Sequence, residues 1–186
     1  MEQTPNNPVV IVVYNPLWPE QFETLRSRLA NALGGLALTI EHVGSIAVPG
    51  LAAKPIIDID ALLKSANDLP QAIAALSSIG YRHRGDLGIP GREAFRAPAG
   101  DLPHHLYVCP NTTEYQRHIA FRDHLRSHPE DASAYSTLKR KLALCFRDDR
   151  EAYNNAKSNF VERILQTSAN EELLSKLAVP SPTHIA

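Results

Sequence analysis

Cysteine is nearly absent. Cys109 and Cys145 are the two in 186 residues, which excludes a disulfide scaffold and a thiolate zinc site. They read as ordinary small apolar residues. Aromatic residues are 6% of the chain, with Trp18 its single tryptophan, and no basic stripe interleaved with aromatics is present to track long nucleic acid. An excess of one charge is missing too. Lys and Arg number 19 against 20 Asp and Glu, a net charge of −1, so nothing global recruits nucleic acid or an anionic membrane. Residues up to Pro110 carry 8 basic and 10 acidic groups and those after it 11 and 10, too even a split to argue a polyanion partner. No apolar run approaches the roughly 20 residues of a membrane span. Met1 to Asn7 lack the basic stretch of a secretory leader. The expectation is a soluble cytoplasmic protein without a membrane partner.

What is present is an ordinary globular composition, 44% hydrophobic and 21% charged. A chain of this length folds to a radius of gyration of roughly 16 Å, enough for a real core. Val9 to Tyr14 is an apolar run that predicts a short buried strand, stopped by Asn15-Pro16. Pro19 opens a helix whose Phe22, Leu25, Leu29 and Leu33 share a face, and Gly34-Gly35 closes it. Strands are expected over 36–43, with Leu36, Leu38, Ile40 and His42 on one side, and over about 55–63. A helix over 68–79 and three short extended segments, 81–84, 92–97 and 104–109, complete the first half. After Pro110 the periodicity is helical. Asn111 and Glu114 suit a capping box, Pro129 starts a second helix, and Asp148-Asp149 start a third that ends near Thr167. The organisation is α+β: an α/β lobe over 1–110, a helical lobe over 111–178 packed on it within one domain, and a loose tail over 179–186.

Asp58 and Asp60 are the most informative residues; the alternative to a chemical role is a strand end whose aspartates meet solvent. Two apart in a strand, they project from the same face. Carboxylates that close repel unless a cation lies between them, and magnesium or manganese takes oxygen ligands of this kind. Gly44-Ser45 ends the preceding strand, where a glycine lets backbone approach a phosphate and Ser45 offers two donors. Lys54 stands near the mouth of the carboxylate strand. The order strand, Gly-Ser, a dozen residues, then alternating apolar and Asp resembles the nucleotidyltransferase superfamily related to DNA polymerase beta.

The segment from Glu41 through His42-Val43-Gly44-Ser45 and Pro49-Gly50-Leu51 to Lys54-Pro55-Ile56-Ile57-Asp58-Ile59 closely resembles the hallmark of the GrpB-like family. So do Tyr14 to Pro19, Arg117 to Asp123, Tyr135-x-x-Leu138-Lys139 and Ala152-Tyr153-x-x-Ala156-Lys157. The likeness runs from about Val9 to Leu165. It implies a nucleotidyltransferase-like mixed sheet with a C-terminal helical part, and an activity that is largely inferred from that fold. Relatives carry His-Leu-His where this chain has His105-Leu106-Tyr107; His105 matches and Tyr107 departs. No acid stands on that strand as a third carboxylate, with Glu93 and Asp101 as fallbacks. A neutral imidazole at His105 serves as ligand or base. Lys139 and Lys157 match family positions and are expected to face the cleft as phosphate contacts. Arg92 or Arg96 steers the triphosphate. His118, Arg122 and Arg126 share a helix face, while Trp18 and Phe121 pack the core.

The implied function is a magnesium-dependent nucleotidyltransferase. Asp58 and Asp60 hold the metal, and Gly44, Ser45, Lys54, Arg92, Lys139 and Lys157 hold the nucleoside triphosphate. The nucleoside monophosphate passes to a small-molecule or protein acceptor. The alternative is a non-catalytic nucleotide-binding or protein-interaction module that kept the fold.

Overall fold

The computed structural model describes residues 8–177. Helix α1 (Trp18–Leu33) has Pro19 in its first turn, where a missing N–H costs nothing, and buries Trp18, Phe22, Leu25, Leu29 and Leu33 as one stripe. That stripe and the Ala72 and Leu76 side chains of α2 (Leu69–Ser78) cover one face of a five-stranded sheet. Its strands are β1 (Ala37–Val43), β2 (Ile57–Leu63), β3 (Arg82–His83), β4 (Glu93–Arg96) and β5 (His104–Cys109). They lie in the order β1, β2, β5, β4, β3, with β2 and β5 parallel and the other neighbours antiparallel. The expected α+β mixed sheet is the observed one. Ile57, Ile59, Ala61 and Leu63 of β2 face α1 and α2; by alternation Asp58 and Asp60 face the other way.

The second half forms α3 (Thr112–Ser127), α4 (Pro129–Cys145), α5 (Arg150–Asn155) and α6 (Ser158–Leu177). Asn111 Oδ1 accepts from the Thr113 N–H at 3.1 Å and caps α3. Phe121 and Leu125 of α3 pack with Tyr135, Ile164, Val48 and Leu51 in a second apolar cluster. The loop after β1 is therefore wedged between the sheet and the helices. Polar bonds also clamp α3 to β1 and to the turn after it. Arg122 donates to Glu41 Oε2 and to the His42 carbonyl, both at 2.9 Å, and Arg126 donates twice to the Ala47 carbonyl. No helix among the described residues is long and apolar enough to cross a membrane.

Three expectations are corrected. Residues 9–14 form no strand of the sheet, only an isolated bridge between Val12 and Ala53, and Val10 and Val13 are 51% and 72% exposed. Their partners are a loop residue and the Arg147 carbonyl, which accepts from Val9 N–H, and neither offers an extended ladder. Leu36 sits in a 3-10 turn, and a bulge between Ala37 and Thr39 leaves Leu38 exposed. The third C-terminal helix is broken. α5 stops after Asn154-Asn155, residues of low helix propensity, and α6 restarts at Ser158 and runs to Leu177, past the expected end at Thr167. The expected tail, 179–186, lies outside the described residues.

A polar relay on the far face sets the start of β5. Arg28 of α1 pairs with Asp101 and donates to Tyr81 Oη at 2.9 Å, Tyr81 bonds His104 Nε2 at 2.7 Å, and His104 Nδ1–H donates to the Leu102 carbonyl. Arg28 holds the Asp101 carboxyl below its ordinary range. A carboxyl with a depressed folded pKa contributes stability above its unfolded value near pH 4, lost as pH falls through the folded one. Asp101→Asn is expected to cost roughly 1 kcal/mol at pH 7, discounted for the half-exposed Arg28, and less at pH 2. Denaturant melts at the two pH values check it, and an equal cost at both would refute it.

Candidate functional site

Register assembles the site. Parallel pairing of β2 with β5 sets His105 beside Asp58 and Tyr107 beside Asp60, so all four side chains leave the sheet on the face away from α1. Glu93 is paired with Val108 on β4 and bonds His83 at 2.6 Å. It shares the opposite face with Phe95, and Asp101 belongs to the Arg28 relay, so neither fallback acid reaches the site. His42, within the hallmark segment, also faces the core. It stacks on Phe22 at 4.7 Å, and burial, aided by Arg126 and Arg122, pushes its pKa down to about 4.

Gly44 lies against Asp58. It has φ +72° and ψ −167°, and a β-carbon there would stand 2.4 Å from Asp58 Oδ2. The carboxylate occupies the volume that any side chain at 44 would need.

Asp58 opens onto a cleft of about 290 Å³ between the sheet and the helices. From the sheet side Ser45, Lys54, His105 and Tyr107 line it; from the helical side come Lys139, Arg150, Tyr153 and Lys157. Its walls thus carry four cationic side chains, Lys54, Lys139, Arg150 and Lys157, against one carboxylate, Asp58. Lys139 is 2% exposed and its Nζ has no hydrogen-bond partner. Burial, with Lys157 nearby, lowers its pKa to about 7, and burial beside Lys54 takes Lys157 down to about 8. The Tyr153 ring is flanked by Lys157 at 4.4 Å and Lys54 at 5.5 Å. Arg150 donates to His105 Nε2 at 3.2 Å. A guanidinium cannot accept, so Nε2 is the acceptor and the neutral ring carries its proton on Nδ1. Burial lowers the His105 pKa and favours that neutral ring. A larger hollow of about 580 Å³, beside the 48–51 loop, has one charged lining residue, Arg126, already spent on the Ala47 carbonyl. Chemistry rather than size marks the cationic cleft.

Asp60 lies deeper. It is 0% exposed, and its Oδ2 accepts from His118 Nδ1 at 2.7 Å while Oδ1 has no hydrogen-bond partner. Burial raises the Asp60 pKa. Burial alone would lower that of His118, but the hydrogen bond and charge of Asp60 outweigh it, and the net shift is upward. We read the pair as carboxylate and imidazolium.

The structure thus brings Ser45, Lys54, Asp58, His105, Lys139 and Lys157 together in one cleft. Gly44 supports Asp58, Asp60 is buried beneath His118, and Arg92 lies over the Tyr107 ring at 4.3 Å, outside the cleft lining. Sequence reasoning passed over Arg150 and Tyr153 as cleft residues and His118 as the partner of Asp60. The spacing of Arg150, Asn154 and Lys157, four then three apart, was the available signal for one inward face.

Residues 8–167 match the family model described as GrpB protein. The UPF0157 protein PA4798 of Pseudomonas aeruginosa is 39% identical over 161 residues, 84% of this chain and 66% of that protein. The UPF0157 protein YqkA of Bacillus subtilis is 33% identical over 159 residues, 85% of this chain and 46% of its own length. This chain therefore spans less than two thirds of those two relatives. The crystal structure of conserved protein GrpB from Enterococcus faecalis superposes with a TM-score of 0.80 at 34% identity, covering 88% of this chain and 99% of that one.

Proposed function

This chain belongs to the GrpB family, and we propose that it is a divalent-metal-dependent nucleotidyltransferase working in the cleft above Asp58. One observation carries the reading: a buried lysine, Lys139, whose Nζ has no hydrogen-bond partner, faces, among three further basic side chains, the cleft that holds Asp58. Burying such a cation is costly unless an anion arrives to pair with it. A triphosphate is the polyanion whose size and charge answer four cations and also tolerates a neighbouring carboxylate through a shared metal.

The donors suit magnesium or manganese. Asp58 faces the cleft, and Asp60 Oδ1 is an unsatisfied hard oxygen two residues along the same strand. When bound by Asp58 and Asp60, the ion would offset phosphate charge and orient the α-phosphate. Lys139, Lys157, Lys54 and Arg150 would hold the β- and γ-phosphates, and Ser45 would add a hydroxyl donor. Arg150 donates to His105 Nε2 in this structure; once it turns to the phosphates, the freed Nε2 lone pair would take the proton of an attacking hydroxyl. The acceptor oxygen then bonds the α-phosphorus, the α–β bridging bond breaks, and pyrophosphate leaves among the lysines. His118 does not touch substrate in this scheme; it neutralises Asp60 and fixes its free oxygen.

A second reading has its own support. The acid facing Asp60 across the β1–β2 pair, Glu41, is bonded to Arg122 and Thr39, and β5 offers an imidazole and a phenol instead of a third carboxylate. That arrangement suits a module that binds nucleotide without turning it over.

Calorimetry separates these readings. Wild type is expected to bind triphosphates at least roughly tenfold more tightly with magnesium than without, and Asp58→Asn to lose that dependence. An α-labelled triphosphate incubated with cell extract should transfer label only in wild type. Metal-dependent binding with no labelled acceptor would leave the binding module, and no nucleotide binding at all would end both.

A further inference from the structure

A second cluster of ligating side chains shares no lining residue with the cationic cleft. His124, near the end of α3, and His128, which joins α3 to α4, meet Glu171 of α6. His124 Nδ1 stands 3.5 Å from Glu171 Oε2, and His128 Nε2 stands 3.2 Å from Glu171 Oε1. The three ligand atoms lie within 4.8 Å of one another. The other nitrogen of each ring is already committed. His124 Nε2–H donates to Asp131 Oδ2 at 2.8 Å, and His128 Nδ1–H donates to the His124 carbonyl at 3.0 Å.

With those protons placed, both remaining lone pairs face the same carboxylate, an arrangement that repels itself until a cation enters. The His124 side chain is 1% exposed, and its Nδ1 has no hydrogen-bond partner, so no protein donor satisfies that lone pair. A carboxylate on the far nitrogen of a ligating histidine fixes its tautomer and strengthens it as a ligand, and Asp131 occupies that position.

We propose that His124, His128 and Glu171 form a binding site for a divalent transition metal of the zinc class. Two imidazole nitrogens with one carboxylate favour such a borderline ion over magnesium or calcium, which prefer oxygen. The two rings are stacked, with centroids 3.9 Å apart and planes 11° from parallel. Parallel planes cannot both contain one ion, so the more exposed ring, His128, tilts on binding while His124 stays held by Asp131. A hollow of about 660 Å³ opens beside Glu171, between α3 and α6, and leaves a fourth position for water or a small donor. The bound ion ties α6 to α3, the helix whose His118, Arg122 and Arg126 hold the sheet and the 44–56 loop.

The test uses zinc alone, titrated into the full chain after treatment with a chelator. Calorimetry should find one tight zinc ion per chain, with a rise in Tm. Glu171→Gln and His128→Ala should each weaken binding by roughly tenfold or more. Melting of both variants without zinc controls for damage to the fold, and cobalt in place of zinc should give a visible spectrum of tetrahedral type that Glu171→Gln loses. No zinc binding, with a lower zinc-free Tm in Glu171→Gln, would mean an imidazolium–carboxylate ion pair and would overturn the proposal. So would zinc binding kept in both variants but lost in Asp58→Asn, because the cleft would then be the site.

Discussion

Lys139→Met is expected to make the protein more stable and to remove most of its affinity for triphosphates. Burial, with Lys157 nearby, holds the Lys139 pKa at about 7 against the ordinary lysine value of 10.5. The unfolded chain therefore binds more protons than the folded one between those values, and stability rises with pH across that window. Below pH 7 both states are charged and the full penalty applies; above 10.5 both are neutral and it vanishes. Replacement by an apolar side chain of similar length should recover on the order of 2–4 kcal/mol at pH 7, after loss of the contact with the Tyr135 ring. In a chain of this size that is a rise in Tm of roughly 5–10 °C, shrinking as the pH approaches 10. Phosphate binding needs the protonated amine, so wild type should take up roughly one proton per triphosphate bound at pH 8. Calorimetry in buffers of different ionisation enthalpy reads that uptake, and Lys139→Met should lower both uptake and affinity, the affinity by roughly 100-fold. A variant that melts lower and binds as well as wild type would show that Lys139 is a structural residue.

The second large effect is expected at Gly44→Ala. The backbone there, φ +72° and ψ −167°, is a region that residues with side chains almost never occupy. The added carbon would also meet Asp58 Oδ2 at 2.4 Å. The loss should be roughly 2–4 kcal/mol of stability, and Asp58 should be displaced from the cleft. Gly50→Ala is the internal control. It shares a positive φ of +78°, but nothing lies within 4 Å of its added carbon, so its cost is strain alone, about 1 kcal/mol, with metal-dependent binding retained. Equal costs at the two glycines would refute the steric role of Gly44. Gly44→Ala with unchanged metal dependence would refute the link to Asp58.

Local chemistry fixed much of how the chain folds. The alternation Ile57-Asp58-Ile59-Asp60 permits one apolar and one acidic face, and β2 buries Ile57 and Ile59 under α1 while Asp58 and Asp60 point away. Trp18, Phe22, Leu25, Leu29 and Leu33 recur at helical spacing, and that stripe became the core. The Gly44-Ser45 turn was legible because so few residues tolerate its backbone. These are matters of periodicity and of single-residue conformation, which a sequence carries in full.

Tertiary structure decided what depends on partners. Six apolar residues at 9–14 read as a strand, but pairing belongs to two segments, and the neighbours available were a loop and a helix end. A break at Ala156-Lys157 divides what reads as one continuous helical pattern, and Lys157, at that break, lines the cleft. Asp58 and Asp60 are chemically alike and two residues apart, yet one lines a cleft and the other is buried with one oxygen bonded to His118, 58 residues away. Lys139 is one of three consecutive basic residues, Lys139-Arg140-Lys141; only the packing of α4 makes it the buried one, and burial, with Lys157 and Lys54 nearby, lowers its pKa. A sequence lists charges without their solvent, and in this protein the distance of each charge from water separates a surface lysine such as Lys141 from the buried Lys139.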